Sequence, residues 1–114
     1  MDRPLQTVVE TQEFLRRAAK LLSDDERAAI VEMLARDPEC GEIIQGAGGI
    51  RKVRVALEGR GKRGGGRVIY YFHNDQIPLF VLSIFAKNEK ADLAPAELKA
   101  LATKIRGIKQ DAKG

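Results

Sequence analysis

Between Arg51 and Arg67 the sequence places seven cations, Arg51, Lys52, Arg54, Arg60, Lys62, Arg63 and Arg67, against a single acid, Glu58. That stretch carries +6 in a chain whose net charge is +4, so the remaining residues sum to −2. Arginine offers phosphate oxygens a rigid fork of donors, and lysine offers a compact ammonium on a flexible stem. Such a set can clamp a phosphodiester and stabilise charge developing on it, with no metal required. Gly64, Gly65 and Gly66 beside it would let the backbone approach a ligand closely. Charge alone is equally met by a solvated hairpin, or by one that grips nucleic-acid backbone without reacting, and charge alone favours that plainer reading.

Other catalytic arrangements find little support. His73 is the only imidazole and stands beside Asn74 and Asp75, where it reads as an exposed loop residue. Cys40 has no neighbour in sequence to activate it, and no cluster of Cys and His has the spacing of a zinc site. Asp24, Asp25 and Glu26 fall in the first turn of an expected helix, where capping accounts for them. The loop GRGKRGGGR lacks the spacing of a Walker loop and its Ser or Thr after Lys. No cofactor is expected.

At 114 residues the chain fits one domain, 1–114, able to bury a core without disulfides. Its 44% hydrophobic and 32% charged residues suit a packed fold rather than disorder. A lone cysteine, the absence of signal-peptide features in MDRPLQTVVE and the lack of a long apolar run point to a soluble cytoplasmic protein.

Several elements must position the basic stretch. Leu5 to Glu10 alternates as a short strand. Thr11 can cap a helix whose apolar stripe runs from Phe14 to Leu22, and Ser23 with Glu26 has the form of a capping box opening a second helix. Pro38 predicts a stop near Arg36, completing an α-hairpin. After the glycine-rich turn at 46–49, Arg51 to Leu57 alternates, with Arg51, Val53, Val55 and Leu57 on one face and Lys52, Arg54 and Ala56 on the other. Arg67 to Phe72 and Leu79 to Ala86 read as two further strands, giving an antiparallel meander. Tyr70 and Tyr71 are adjacent in a strand, so one must face the core, and no stacking role is assigned to either. Pro95 opens a last helix with a stripe from Leu98 to Ile108. The class is α+β: a small, mainly antiparallel sheet, an N-terminal α-hairpin and a C-terminal helix, with helices able to cover one sheet face. On such a sheet Lys52, Arg54, Arg67 and Lys87 fall at adjoining strand positions.

The segments IIQGAGGIRKVRVALEGRGKRGGGRVIYYF and LFVLSIFAKNEKADLAPAELKAL resemble the RelE/ParE toxin superfamily in its HigB-type branch, which carries a GKGKRGG motif. The distinctive parts are GxGGIRKxRV, the GRGKRGGGRVIYYF hairpin and the FAKNEKADL strand exit, and the likeness extends over almost the whole chain. It implies a RelE-like fold and the toxin of a type II toxin–antitoxin pair. Such toxins are held inactive by a cognate antitoxin, expected here to carry a helix-turn-helix domain and to supply any contact with operator DNA. When freed, many enter the ribosome and cut mRNA without a metal, the RNA 2′-hydroxyl attacking the adjacent phosphate.

Position by position, the resemblance makes Lys52 and Arg54 the paired basic residues of the first meander strand and Arg67 the arginine opening the next. Lys87 matches one member of a basic pair at the end of the last strand, and Asn88 departs from the other. Lys52, Arg54, Arg67 and Lys87 are the expected catalytic set, with Lys52 the first choice of proton acceptor and Arg67 of phosphate contact. Arg51, Arg60, Lys62, Arg63 and Asn88 are expected to bind RNA. Leu93 lies near a position where RelE has an RNA-stacking tyrosine, and the C-terminal histidine common in HigB-type toxins is missing. Two alternatives stay open: a ParE-like toxin of DNA gyrase, and a non-catalytic antitoxin-binding module.

Overall fold

Val68 and Tyr70 pack to one side of their strand and Ile69 and Tyr71 to the other, all four fully buried. The sheet that contains them is therefore apolar on both faces and has to be covered twice. The computed structural model describes residues 4–57, 65–90 and 92–112, with side chains up to Ile108. In chain order the elements are β1 (Val8–Glu10), α1 (Gln12–Leu21), α2 (Asp24–Arg36), β2 (Glu42–Ile43), β3 (Ile50–Val55), β4 (Gly66–Tyr71), β5 (Leu79–Ala86) and α3 (Pro95–Ala112). The sheet order is β1-β5-β4-β3-β2, antiparallel except where β1 runs parallel to β5.

The α+β class, the α-hairpin, the meander and the terminal helix are all present, with two additions. The two-residue β2 lengthens the sheet beyond β3. The helices also take both faces rather than one. Phe14 and Ala18 of α1 and Ile30 and Leu34 of α2 bury Val55, Val68 and Tyr70, while Leu98, Leu101 and Ile105 of α3 cover Ile50, Ile69, Tyr71 and Phe85. Fully burying one such side chain contributes about 1.5–3 kcal/mol.

The helix starts follow their capping chemistry. Thr11 Oγ1 accepts the Phe14 N–H and donates to Val81 O at 2.7 Å, which ties the head of α1 to β5. Ser23 and Glu26 form the reciprocal capping box.

A register shift in β5 governs which residues share a face with the basic strands. Ile69 pairs with Ser83 but Tyr70 pairs with Val81, so Leu82 has no partner across the ladder. Without that extra residue, strict alternation would send Leu79, Val81, Ser83 and Phe85 to one side. With it, Leu79, Val81, Ile84 and Ala86 join the α1/α2 core, and Phe85 crosses to the α3 side. No helix among the described residues is long and apolar enough to cross a membrane.

Candidate functional site

The ladder of β3, β4 and β5 sets side chains out in rows. Arg54 lies opposite Arg67, and Arg67 opposite Phe85, while Lys52 lies opposite Ile69 and Ile69 opposite Ser83. Neighbouring strands stand about 4.8 Å apart, so the two arginines are cross-strand neighbours on the α3 side of the sheet. Like charges placed directly opposite are destabilising in a sheet. Among the described residues no carboxylate pairs with Arg54 or Arg67, so both forks keep donors for an outside anion. Among the described residues Arg67 donates only to the neighbouring Gly66 carbonyl, at 3.3 Å.

Lys52 has a partner. Its Nζ donates to Asp92 Oδ2 at 2.9 Å, and Asp92 Oδ1 accepts the Leu93 N–H at 2.8 Å. The bond from Lys52 and then that N–H hold the Asp92 carboxyl below its ordinary range against the cost of burial, with smaller help from the charges of Lys52 and Arg67. Asp92 therefore lies within the field of both Lys52 and Arg67. Sequence reasoning did not single it out, because 40 residues separate it from Lys52.

The segment that carries Asp92 is fixed on both sides. Lys90 pairs with Glu97 and sits 5.0 Å above the Phe85 ring, in the same row as Arg67. Glu97 also accepts the Ala94 N–H at 2.9 Å at the head of α3, and its carboxyl is held low first by Lys90 and then by that N–H. Leu93 packs against the α3 core beside Ile105. Leu93, near the position where the resemblance led to an expected stacking tyrosine, is thus a packing residue. Lys90 is a second group near the site that the sequence did not flag, although the charge-dense NEKAD exit was a signal.

The remaining candidates are distributed differently. Lys87 and Asn88 are exposed in the turn that follows β5, since the strand ends at Ala86, one residue earlier than expected for Lys87. The Lys87 N–H bonds Gly65 O at 2.9 Å, which lays this turn beside the start of β4. Gly65 has φ +66, and a Cβ there would stand 2.4 Å from Val55 O, so only glycine suits that crossing. No described contact joins the Lys87 side chain to Lys52, Arg54 or Arg67. Arg60, Lys62 and Arg63 lie outside the described residues.

Arg51 does not reach the basic face. It shares the other side of β3 with Val53 and Val55, where its guanidinium donates to Gly41 O at 2.8 Å and lies 3.7 Å from Glu39. Tyr70 completes that corner, its hydroxyl accepting the Gly41 N–H and donating to Pro38 O, each at 2.8 Å. Burial pushes the Tyr70 hydroxyl pKa up, well above its ordinary value. Arg51 and Tyr70 thus hold the 38–41 segment against the sheet, a structural task with no ligand in it. Cys40 stands 3.9 Å from the same hydroxyl, and desolvation raises its thiol pKa, the reverse of what a nucleophile needs. Among the described residues no group of three or more His, Cys, Asp or Glu side chains could hold a metal ion.

A helix-covered, mainly antiparallel sheet with a cationic patch at one end is a RelE-like fold, and comparison with known proteins agrees. A solved structure of a double arginine-to-alanine variant of the E. coli toxin RelE in its free state is similar at a TM-score of 0.56, covering 88% of this chain and 96% of that one at 16% identity. At that identity the likeness is one of fold. A family model described as the RelE toxin of the RelE/RelB toxin–antitoxin system matches residues 6–112, and the chain belongs to that family. It is therefore a toxin of a toxin–antitoxin system, and family membership implies a cognate antitoxin.

Proposed function

We propose that this toxin is a ribosome-dependent endoribonuclease that stops translation by cutting mRNA on the basic face of β3 and β4. The observation that carries the reading is the row in which Arg54 and Arg67 stand opposite each other, without a paired carboxylate among the described residues and with Lys52 one row away on the same face. A stability-driven sheet avoids such a pair, and a phosphodiester between the strands would neutralise it.

In the proposed reaction the RNA 2′-oxygen bonds to the adjacent phosphorus as the bond from phosphorus to the 5′-oxygen breaks. The products are a 2′,3′-cyclic phosphate and a free 5′-hydroxyl. Arg67 and Arg54 would bind the non-bridging oxygens and stabilise the charge that builds there. Lys52, after giving its ammonium proton to solvent, would accept the 2′-hydroxyl proton as the neutral amine, and Lys87, from the turn after β5, would donate a proton from its ammonium to the departing 5′-oxygen. Asn88, with Arg60, Lys62 and Arg63, would hold flanking RNA, and Arg51, whose guanidinium already meets Gly41 O and Glu39, is left out of the proposed set. The wider reading is a cytoplasmic toxin of the HigB-like branch, a single RelE-like domain over 1–114. Its antitoxin would carry the helix-turn-helix domain and bind operator DNA, with the toxin touching that DNA only through it.

The test is induction of the chain with mapping of RNA 5′ ends, alongside cleavage in a purified translation system. The reading expects cuts inside coding sequence that require ribosomes, and a loss of about 10²–10³-fold in cleavage for Arg67→Ala with an unchanged melting temperature. Unaltered toxicity in Arg67→Ala overturns it. An SOS response without RNA cuts would assign gyrase as the target instead, and absence of any growth defect would assign a non-catalytic module.

A further inference from the structure

The proposed phosphate site already holds an anion from the chain itself. Asp92 places one carboxylate oxygen 2.9 Å from Lys52 Nζ, and the charge of Arg67 acts on the same carboxylate. The residue is not on a loose tail: Lys90, two positions before it, is tied to Glu97 and the Phe85 ring, and Leu93, one after, is packed in the α3 core. The Asp92 side chain is 54% exposed, so it is presented from an anchored segment toward solvent rather than enclosed.

Resting on the reading of this face as a phosphodiester site, we propose that Asp92 is a displaceable counterion that competes with an RNA phosphate for the Lys52 ammonium. Two physical consequences follow. The ammonium that Lys52 presents to Asp92 has three N–H donors and no lone pair, so it meets RNA first as a cation, and any phosphate contact it makes competes with the Asp92 carboxylate for the same charge. An arriving phosphate also trades one anion for another at Lys52, so that this cation contributes less to affinity than an unpaired one. Free cations bound to RNA release counterions from it and make binding salt-dependent. Lys52 is muted in that respect while Asp92 is present, which disfavours RNA held by charge alone and leaves the advantage to RNA positioned by further contacts.

The test uses the full-length protein and a short single-stranded RNA made uncleavable by 2′-O-methylation, with affinity measured by fluorescence anisotropy across a range of salt. Asp92→Asn keeps the shape of the side chain and an oxygen for the Leu93 N–H. It is expected to bind about two- to fivefold more tightly, the size of one exposed ion pair no longer competing. The slope of log affinity against log salt should steepen by about 0.7, the increment for one more cation on a single strand. Both changes should vanish when Asp92→Asn is made in a Lys52→Gln background. A gain that persists there is a plain net-charge effect and overturns the proposal, as does equal or weaker binding by Asp92→Asn. Absence of binding by every variant overturns the phosphate seat and the proposal with it. If the binding pattern is as expected but the purified translation system shows no cleavage, the endoribonuclease reading fails while the counterion assignment stands.

Discussion

Strands β3 and β4 present two faces that share a backbone and almost nothing else. Toward α1 and α2 they set Val53, Val55, Val68 and Tyr70 into the core, while toward α3 the same stretch sets Lys52, Arg54 and Arg67. Arg51 and Lys52 make the contrast within one peptide unit. Arg51 turns to a carbonyl and fixes the 38–41 segment, and Lys52 turns to a carboxylate on the cationic face. The α1/α2 side is core along its length, whereas the α3 side is core at Ile50, Ile69 and Tyr71 and, toward the other end of the same strands, accepts a cross-strand arginine pair that stability alone would not select. Residue type is a poor guide to task here, and strand parity is a good one.

That division can be broken by matched substitutions. The largest difference is expected from Arg67→Ala, whose loss of cleavage should come without loss of stability, since it also relieves the repulsion with Arg54. On the opposite face Ile84→Ala should cost about 2–5 kcal/mol in denaturant unfolding, because Ile84 is fully buried in the α1/α2 core. Tyr70→Phe should cost less, about 1–3 kcal/mol, by leaving the Gly41 N–H and Pro38 carbonyl without their buried partner. If Tyr70→Phe instead impairs cleavage at unchanged stability, the two faces are not separate in function.

The smallest effect concerns pH. Asp92 has its folded pKa lowered, chiefly by Lys52, so any stability from this pair is present above the unfolded carboxylate pKa and is lost as pH falls through the folded one. A carboxyl-carbon NMR titration should find Asp92 titrating below the ordinary aspartate value of about 3.9. Lys52→Met should move it upward. No upward movement would mean that Asp92 and Lys52 are not paired in solution.

Much of the fold could be read from the sequence, because local chemistry agreed with the final structure. The Ser23–Glu26 capping box, the Thr11 cap, the glycine-rich turn at 46–49 and the alternation in β3 each act over a few residues. The same alternation placed Arg51 with the valines, which already argued against grouping it with the RNA-binding cations. β2 was not readable: two residues have no periodicity, and Glu42 and Ile43 are strand only because Lys52 and Arg51 pair with them. The second covered face was hidden in LFVLSIFA, where an almost unbroken apolar run conceals the register shift at Leu82. Lys52, Arg54 and Arg67 were legible as a set because their strands follow one another, whereas Asp92 reaches Lys52 only after β4, β5 and a turn have been laid down.

The unpartnered Leu82 gives β5 two independent phases. Up to Val81 the strand keeps time with the N-terminal helices, and from Ser83 it starts a new count that delivers Phe85 beside Arg67. Ile84 and Ala86 still reach the α1/α2 core in the second count, so both halves serve both layers, and removal of one residue at Leu82 would exchange the two layers for one half of the strand against the other.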